Sequence, residues 1–185
     1  MAQARQGPDW VLVNPQADWQ ARDSMGDFVY RDHLWILGGW YTPQDPNPVD
    51  VWKSPDGRKW TCVQEHAPWV QSDLPVALVH DDRMWMMGGR KLPGTECSNK
   101  VWSSTDGTAW KLESEGAGWS PRVSPGFAVF RDRMWVLGGT EDFYDHCDAK
   151  GLGQCSQDHT EDPREVGYGC HNQVPGEVLH QECHR

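Results

Sequence analysis

The hydrophobic pattern of the chain is dominated by an apolar run that ends in two glycines and recurs every fifty residues. The three copies read LWILGG from Leu34, MWMMGG from Met84 and MWVLGG from Met134. Between these runs, residues 51–60 match residues 101–110, including a Val-Trp pair and an Asp-Gly pair. Because a fixed period of this length marks a repeat architecture, the chain is predicted to consist of similar structural units.

Each unit is predicted to contain four β-strands. The first strands are apolar, β-prone segments that end in a tight charged turn, and they span residues 28–30, 76–80 and 127–130. The second strands are the apolar runs before the double glycine. Since these runs do not alternate with polar residues, they are predicted to be buried on both faces of their sheet. The third strands span 51–54 and 101–104. An Asp-Gly turn with a positive φ is expected to lead from each third strand into a fourth strand that opens at a tryptophan.

Four antiparallel strands per unit, a double glycine at a strand end and tryptophans at fixed spacing resemble the kelch repeat of the galactose oxidase-like β-propellers. The resemblance covers about residues 10–140. It implies the fourth strand of a blade at 10–14, complete blades at 26–65 and 76–114, and a half blade at 126–139. The expected fold is therefore an all-β, partial kelch-type propeller of about three four-stranded blades.

Two further repeated features are interpreted as structural. The Ser-x-Asp-Gly-x-x-Trp stretch at 54–60 resembles the Asp-box turn of sialidase-type propellers, but it is one residue short of the usual spacing and is therefore interpreted as a turn. Trp19, Trp69 and Trp119 recur once in every unit. A residue that is present in every blade packs blades together more often than it binds a ligand, so these tryptophans are predicted to be packing residues.

The tail at 141–185 has a different composition. After Tyr144 the repeat pattern ends, and the segment holds five of the eight His and four of the six Cys of the chain. Zinc fingers require paired C-x-x-C spacing, which the tail lacks, so no metal site is predicted there. Its low apolar content predicts an irregular or disordered segment without a third strand for the last blade.

The charge balance argues against a nucleic-acid partner, because 27 acidic residues face 17 Lys and Arg and no basic stripe occurs. The chain has no run of roughly eighteen apolar residues, so no membrane span is predicted. Residues 1–8 lack the apolar core of a signal peptide. A cytoplasmic location is therefore expected if Met1 is the native start, and a secreted one is an alternative otherwise.

The loops on one face of the predicted propeller are the expected binding site. The candidate ligand-binding residues of this rim are Arg22, Trp40, Tyr41, Arg90 and Arg122. Arg22 and Arg122 occupy equivalent positions and would offer a planar fork to a carboxylate or an acidic sugar; the alternative is that each bridges to a neighbouring loop. Trp40 and Tyr41 follow the double glycine in one unit only, and Arg90 takes the Trp40 position in the next. Residues that break a repeat are favoured as recognition residues.

These features favour a binding or interaction module with a protein or carbohydrate ligand. No catalytic constellation, cofactor motif or metal-ligand spacing is recognisable in the repeats. The alternative is a carbohydrate-active enzyme of the kelch-like propeller class, either a sugar epimerase or mutarotase or an oxidase-like enzyme. Closed propellers have ~4 to 8 blades. The chain is therefore expected to be a fragment of a larger propeller, and its open blade faces are expected to favour self-association.

Overall fold

A computed structural model describes residues 11–42, 45–94 and 96–141 and the backbone of residues 178–181. In these ranges the chain forms eleven β-strands and no helix. Accordingly, the described part contains no helix of the length and apolarity needed to cross a membrane. The strands form three antiparallel sheets, which are open and not closed on themselves. The expectation of an all-β fold is confirmed.

Two sheets contain four strands each, and both follow chain order. The first sheet consists of β1 (Gly26–Tyr30), β2 (His33–Leu37), β3 (Val51–Ser54) and β4 (Thr61–Gln64). The second consists of β5 (Asp73–His80), β6 (Arg83–Arg90), β7 (Val101–Ser104) and β8 (Lys111–Ser114). The third sheet has three strands, with β10 (Met134–Leu137) between β9 (Gly126–Val129) and β11 (Val178–Gln181). The predicted bounds of both third strands, β3 and β7, are confirmed.

Two kinds of turn hold the hairpins. In the β1–β2 turn, Arg31 and Asp32 both have a positive φ, 47° and 57°, as the twist of a two-residue hairpin requires. In the β3–β4 turn, Gly57 has a φ of 73° and donates its N–H to the Ser54 hydroxyl at 2.8 Å. The Asp56 carboxylate accepts the N–H of Arg58 at 2.8 Å. The same contacts recur in the β7–β8 turn, so the interpretation of 54–60 as a turn is confirmed.

The second sheet lies between the other two and is covered on both faces. Met84 and Met86 of β6 pack in one core cluster with residues of the first sheet. Trp85 and Met87 of the same strand pack in a second cluster with Met134 and other residues of the third sheet. This arrangement explains why the apolar run of β6 does not alternate, and it confirms the predicted burial on both faces for β6. For the runs of β2 and β10 the prediction is wrong at Leu34 and Leu137, which are 42% and 38% exposed because they lie in the end sheets.

The recurring tryptophans pack inside the structure as predicted. Trp69 and Trp119 are buried, each in one of the two core clusters. Trp69 meets Trp110 edge to face at a centroid distance of 4.3 Å, and Trp19 meets Trp60 in the same way at 5.8 Å. Such edge-to-face pairs are a favoured geometry of aromatic packing.

Two local features differ from the expectation. Residues 11–14, expected to form a strand, have none in the described part of that segment; Asn14 instead donates its side-chain amide to the Arg58 carbonyl at 2.8 Å. In the tail, which was expected to be irregular, β11 pairs with β10 so that Leu137 lies opposite Val178, as Leu37 lies opposite Val51. The physical reason is the same in both places, because strand formation depends on a partner that is distant in sequence and that local composition does not report.

Candidate ligand-binding face

The loops that follow the double glycines and the segments that enter β1, β5 and β9 lie side by side at one end of the sheets. Isolated bridges join Asp23 to Trp40 and Val123 to Thr140, and strand pairing joins Asp73 to Arg90 at the equivalent position. We call this end of the molecule the loop face, comprising the described residues of 20–25, 38–50, 70–74, 88–100 and 120–125.

Backbone hydrogen bonds tie the loop face together from sheet to sheet. Leu74 donates its N–H to the Ser24 carbonyl at 3.0 Å, and Ser124 donates to the Leu74 carbonyl at 3.2 Å. These three residues have a positive φ of 52–55°, although none is glycine. Such a conformation is uncommon for a bulky residue such as leucine. The conformation recurs at three equivalent positions, each of which takes part in these hydrogen bonds between sheets.

Arg22 is enclosed within the loop face. Its side chain is 1% exposed, donates to the Gly38 carbonyl at 3.0 Å and forms an ion pair with Asp50. Burial alone would raise the pKa of Asp50, but hydrogen bonds from Arg22 and Trp52 outweigh burial and hold that pKa below its ordinary value. The guanidinium bridges to a neighbouring loop, as in the alternative considered from the sequence, and is not presented to a ligand.

Arg122 repeats most of this arrangement in the third unit. The buried guanidinium donates to the Gly138 carbonyl at 2.7 Å and to the Ser120 carbonyl and hydroxyl at 3.0 and 2.7 Å. It also lies 5.9 Å from the ring centroid of Trp119. Arg22 and Arg122 therefore each hold the carbonyl of the first glycine in the neighbouring double glycine. Because these contacts occupy both guanidinium groups, the accessible arginine fork expected from the sequence is not found.

Arg90 is also buried. It pairs with Asp73 at 2.5 Å, and both side chains are enclosed. Its carbonyl accepts a hydrogen bond from the Asn47 amide at 2.8 Å, while the Asn47 side-chain oxygen accepts the N–H of Leu92 at 2.8 Å. Asn47 thereby fastens the loop of the first sheet to the loop of the second. Sequence reasoning missed Asp73 and Asn47, because their partners lie 17 and 43 positions away and no local pattern indicates these contacts.

Trp40 and Tyr41 differ from the arginines. Trp40 is half-buried, whereas 44% of the Tyr41 surface is exposed. Immediately after them, the Thr42 hydroxyl donates to the Asp45 carboxylate at 3.0 Å and bends the loop. Of the five residues predicted for the rim, Tyr41 is the one that presents a large exposed side chain on the loop face.

A groove of about 680 Å³ lies between residues 11–21 and the turn at Gly57 and Trp60. Val11 and Leu12 on its wall are exposed apolar side chains. The sequence suggested a strand here and did not predict a groove. Its mainly apolar lining suits a hydrophobic chain or ring better than a charged ligand.

In the described ranges, no group of three or more His, Cys, Asp or Glu is placed to hold a metal ion. Cys62 is a free thiol, whereas the Cys97 thiol donates to the Glu141 carbonyl at 3.0 Å. Burial raises the pKa of the Cys62 thiol, which opposes formation of the reactive thiolate. Most Cys and His of the tail lie outside the described residues.

Comparison with known proteins shows similarity at the level of the fold. No protein-family profile matches the chain, and no curated protein matches it by sequence. Among solved structures, one titled "Structure of YjhT" superimposes with a TM-score of 0.53 at 15% identity over 65% of this chain. The match covers 45% of that protein, so the chain spans less than half of its length. At this identity the likeness concerns the fold alone and agrees with an assembly of antiparallel β-sheets.

Proposed function

We propose that the chain is part of a kelch-type, galactose oxidase-like β-propeller and binds a protein or carbohydrate ligand through its loop face. The propeller assignment is supported by the fifty-residue period and by the three sheets stacked in chain order. It is also supported by hydrogen bonds that recur between successive sheets. The partial cover of the solved neighbour agrees with a fragment of a larger propeller.

The observation that carries the binding proposal is the contrast between enclosed arginines and an exposed tyrosine on the loop face. Arg22, Arg90 and Arg122 are engaged inside the framework, whereas Tyr41 is exposed on a loop that does not follow the repeat. A tyrosine ring supplies a large apolar surface with a polar hydroxyl, which suits stacking on a sugar and anchoring of a protein partner alike. Recognition would therefore depend on the variable loops and not on the repeated arginines.

The alternative is an epimerase, mutarotase or oxidase-like enzyme acting on sugars. Such an enzyme, as expected from the sequence, would need a rim arginine that reaches an acidic sugar. The guanidinium groups of Arg22 and Arg122 are instead bound to carbonyls and to a carboxylate or hydroxyl of the chain itself. The binding module is the better-supported proposal.

A glycan array and a crosslinking experiment test the proposal together. On the array, wild-type chain and Tyr41→Phe are expected to bind the same sugars, and Tyr41→Ala is expected to lose them. If no sugar binds, a photo-crosslinking residue at position 41 should capture a protein partner that the same group at exposed Lys111, outside the loop face, does not capture. Turnover of a bound sugar, followed by NMR, would favour the enzyme instead. Sugar binding that survives Tyr41→Ala would remove Tyr41 from the site.

A further inference from the structure

The two contacts between neighbouring sheets contain the same backbone hydrogen bonds, donated in the same directions. In both, an N–H at or just before the first strand of the later sheet donates to the earlier sheet, Leu74 to the Ser24 carbonyl at 3.0 Å and Ser124 to the Leu74 carbonyl at 3.2 Å. In return, the second glycine of the earlier sheet donates its N–H to the later sheet. Gly39 donates to the Ser72 carbonyl at 2.8 Å, and Gly89 donates to the Arg122 carbonyl at 3.0 Å. Each sheet therefore has two unlike faces. The leading face contacts the next sheet along the chain, and the trailing face contacts the preceding sheet.

The leading face of the third sheet is exposed where the equivalent faces are covered. Tyr30 and Leu37 of the first sheet are 3% and 0% exposed beneath the second sheet. Their equivalents in the third sheet, Phe130 and Leu137, are 56% and 38% exposed. Within the described part of the chain, this face carries the apolar side chains of a sheet-to-sheet contact without the cover that its equivalents have.

The trailing face of the first sheet is the matching half. Met84 of the second sheet is completely buried against the first sheet, whereas the equivalent Leu34 is exposed on the first sheet, next to exposed Val29. The Gly57 turn belongs to the same face. A Cβ on Gly57 would have its nearest neighbours in Leu34 and Val13 at 3.6 Å, while the equivalent Gly107 lies against the ring of Trp35 from the preceding sheet.

Charge also matches across these two faces. Arg31 lies 4.9 Å from the ring centroid of Tyr30 and forms an ion pair with Asp82 in the turn of the next sheet, at 2.6 Å. Arg131 takes the same place in the third sheet, 5.1 Å from the Phe130 centroid. The residue of the first sheet that is equivalent to Asp82 is Asp32, which is exposed. Arg131 of one copy and Asp32 of another would therefore repeat the pair that joins the first two sheets.

From this complementarity we infer that a second copy of the chain seats the trailing face of its first sheet on the leading face of the third sheet. Each copy has one face of each kind, so two chains form two identical contacts in a closed head-to-tail pair. Two contacts formed at once reinforce each other, because the second becomes intramolecular once the first is made. The inference concerns the sheet faces and does not depend on what the loop face binds.

Sedimentation equilibrium across a dilution series of the full chain tests this association. Wild-type chain is expected to sediment as a dimer that dissociates on dilution. Leu137→Lys places a charge in the contact and is expected to weaken association by at least about tenfold. Val70→Lys, at an apolar position that is also exposed but lies outside both faces, should leave association unchanged. A monomer at every concentration, or equal effects of the two substitutions, would overturn the inference.

A charge swap tests the direction of the contact. Arg131→Asp and Asp32→Arg are each expected to weaken association by about fivefold, and the double variant should recover to within about twofold of wild type. Both residues are exposed turn positions, and matched circular dichroism melts of the variants show that folding is retained. Failure of the double variant to recover would overturn the head-to-tail geometry, and a ladder of larger species would overturn the closed pair.

Discussion

At the scale of single residues, the structure distinguishes charges that support the framework from side chains that are free to recognise a ligand. Asp73 and Arg90 form an enclosed ion pair at 2.5 Å. We expect Asp73→Leu to destabilise the chain by about 3 to 5 kcal/mol in urea unfolding, because it leaves the Arg90 charge buried without its carboxylate. Asp73→Leu combined with Arg90→Leu should cost much less, since both charges are removed.

The exposed pair between Lys111 and Glu113 provides the control for this experiment. Lys111→Ala is expected to change stability by less than about 1 kcal/mol, because water screens a surface pair. Equal losses for the single Asp73 variant and the double variant would mean that packing, not the uncompensated charge, determines the cost.

The positions of the arginines were predictable from the sequence, but their roles were not. The fifty-residue period identified Arg22 and Arg122 as equivalent. The partner of Arg22 is Asp50, which lies 28 positions away and reaches the guanidinium only through the path of the β2–β3 loop. Loop paths between strands are set by contacts with neighbouring sheets, so no local pattern indicates such a pair.

At the scale of elements, the two Asp-Gly turns form a natural comparison. Gly57 and Gly107 have φ values of 73° and 80°, so replacement by alanine strains the backbone similarly at both, by about 1 to 2 kcal/mol. A Cβ on Gly107 would also overlap the Trp35 ring, whereas at Gly57 it would make ordinary contacts. Gly107→Ala is therefore expected to cost about 1 to 3 kcal/mol more than Gly57→Ala. Urea unfolding at low protein concentration measures both, and equal costs would contradict the packing of this turn on the preceding sheet.

The same turns should make the chain sensitive to acid. The backbone N–H groups of Ala109 and Thr108 donate hydrogen bonds to the Asp106 carboxylate. These hydrogen bonds outweigh the slight burial of the carboxyl and hold its pKa below the ordinary value of 3.8. Asp56 in the equivalent turn and Asp50 beside Arg22 have lowered pKa values as well. A carboxyl with a lowered pKa in the folded state stabilises that state above the ordinary pKa and loses this contribution as pH falls through the folded value.

We therefore expect the melting temperature to stay level near neutral pH and to fall progressively below about pH 4. Asp106→Asn keeps an acceptor oxygen but does not titrate. Its melting temperature should be lower near neutral pH and should fall less steeply in acid than that of wild type. A parallel acid profile for the two proteins would rule out this turn as a source of the acid sensitivity.

At the scale of the whole molecule, the stacking of the sheets determines how much each strand contributes. Trp85 and Trp135 occupy equivalent positions and make the same hydrogen bond from the indole N–H to a first-strand carbonyl, at 2.9 Å in both cases. Trp85 lies in the sheet that is covered on both faces, and Trp135 lies in the outer third sheet, where it is half-buried. We expect Trp85→Ala to cost about 3 to 5 kcal/mol and Trp135→Ala distinctly less, measured by urea unfolding. If the two costs are equal, the central position of the second sheet is not what stabilises its strands.

The order of residues along the chain was enough to predict the repeated units, the bounds of the third strands, the positive-φ Asp-Gly turns and the burial of the β6 run on both faces. These features follow from the order of apolar, polar and glycine residues over a few positions, which acts through local backbone geometry and burial. Four other features became known only from the folded chain: the rim arginines support the framework, Tyr41 is exposed, residues 11–14 form no strand, and Val178–Gln181 adds a strand to the third sheet. These outcomes depend on contacts between residues far apart in sequence. Which of them form is set by the relative placement of the sheets, and a local pattern carries no information about that placement.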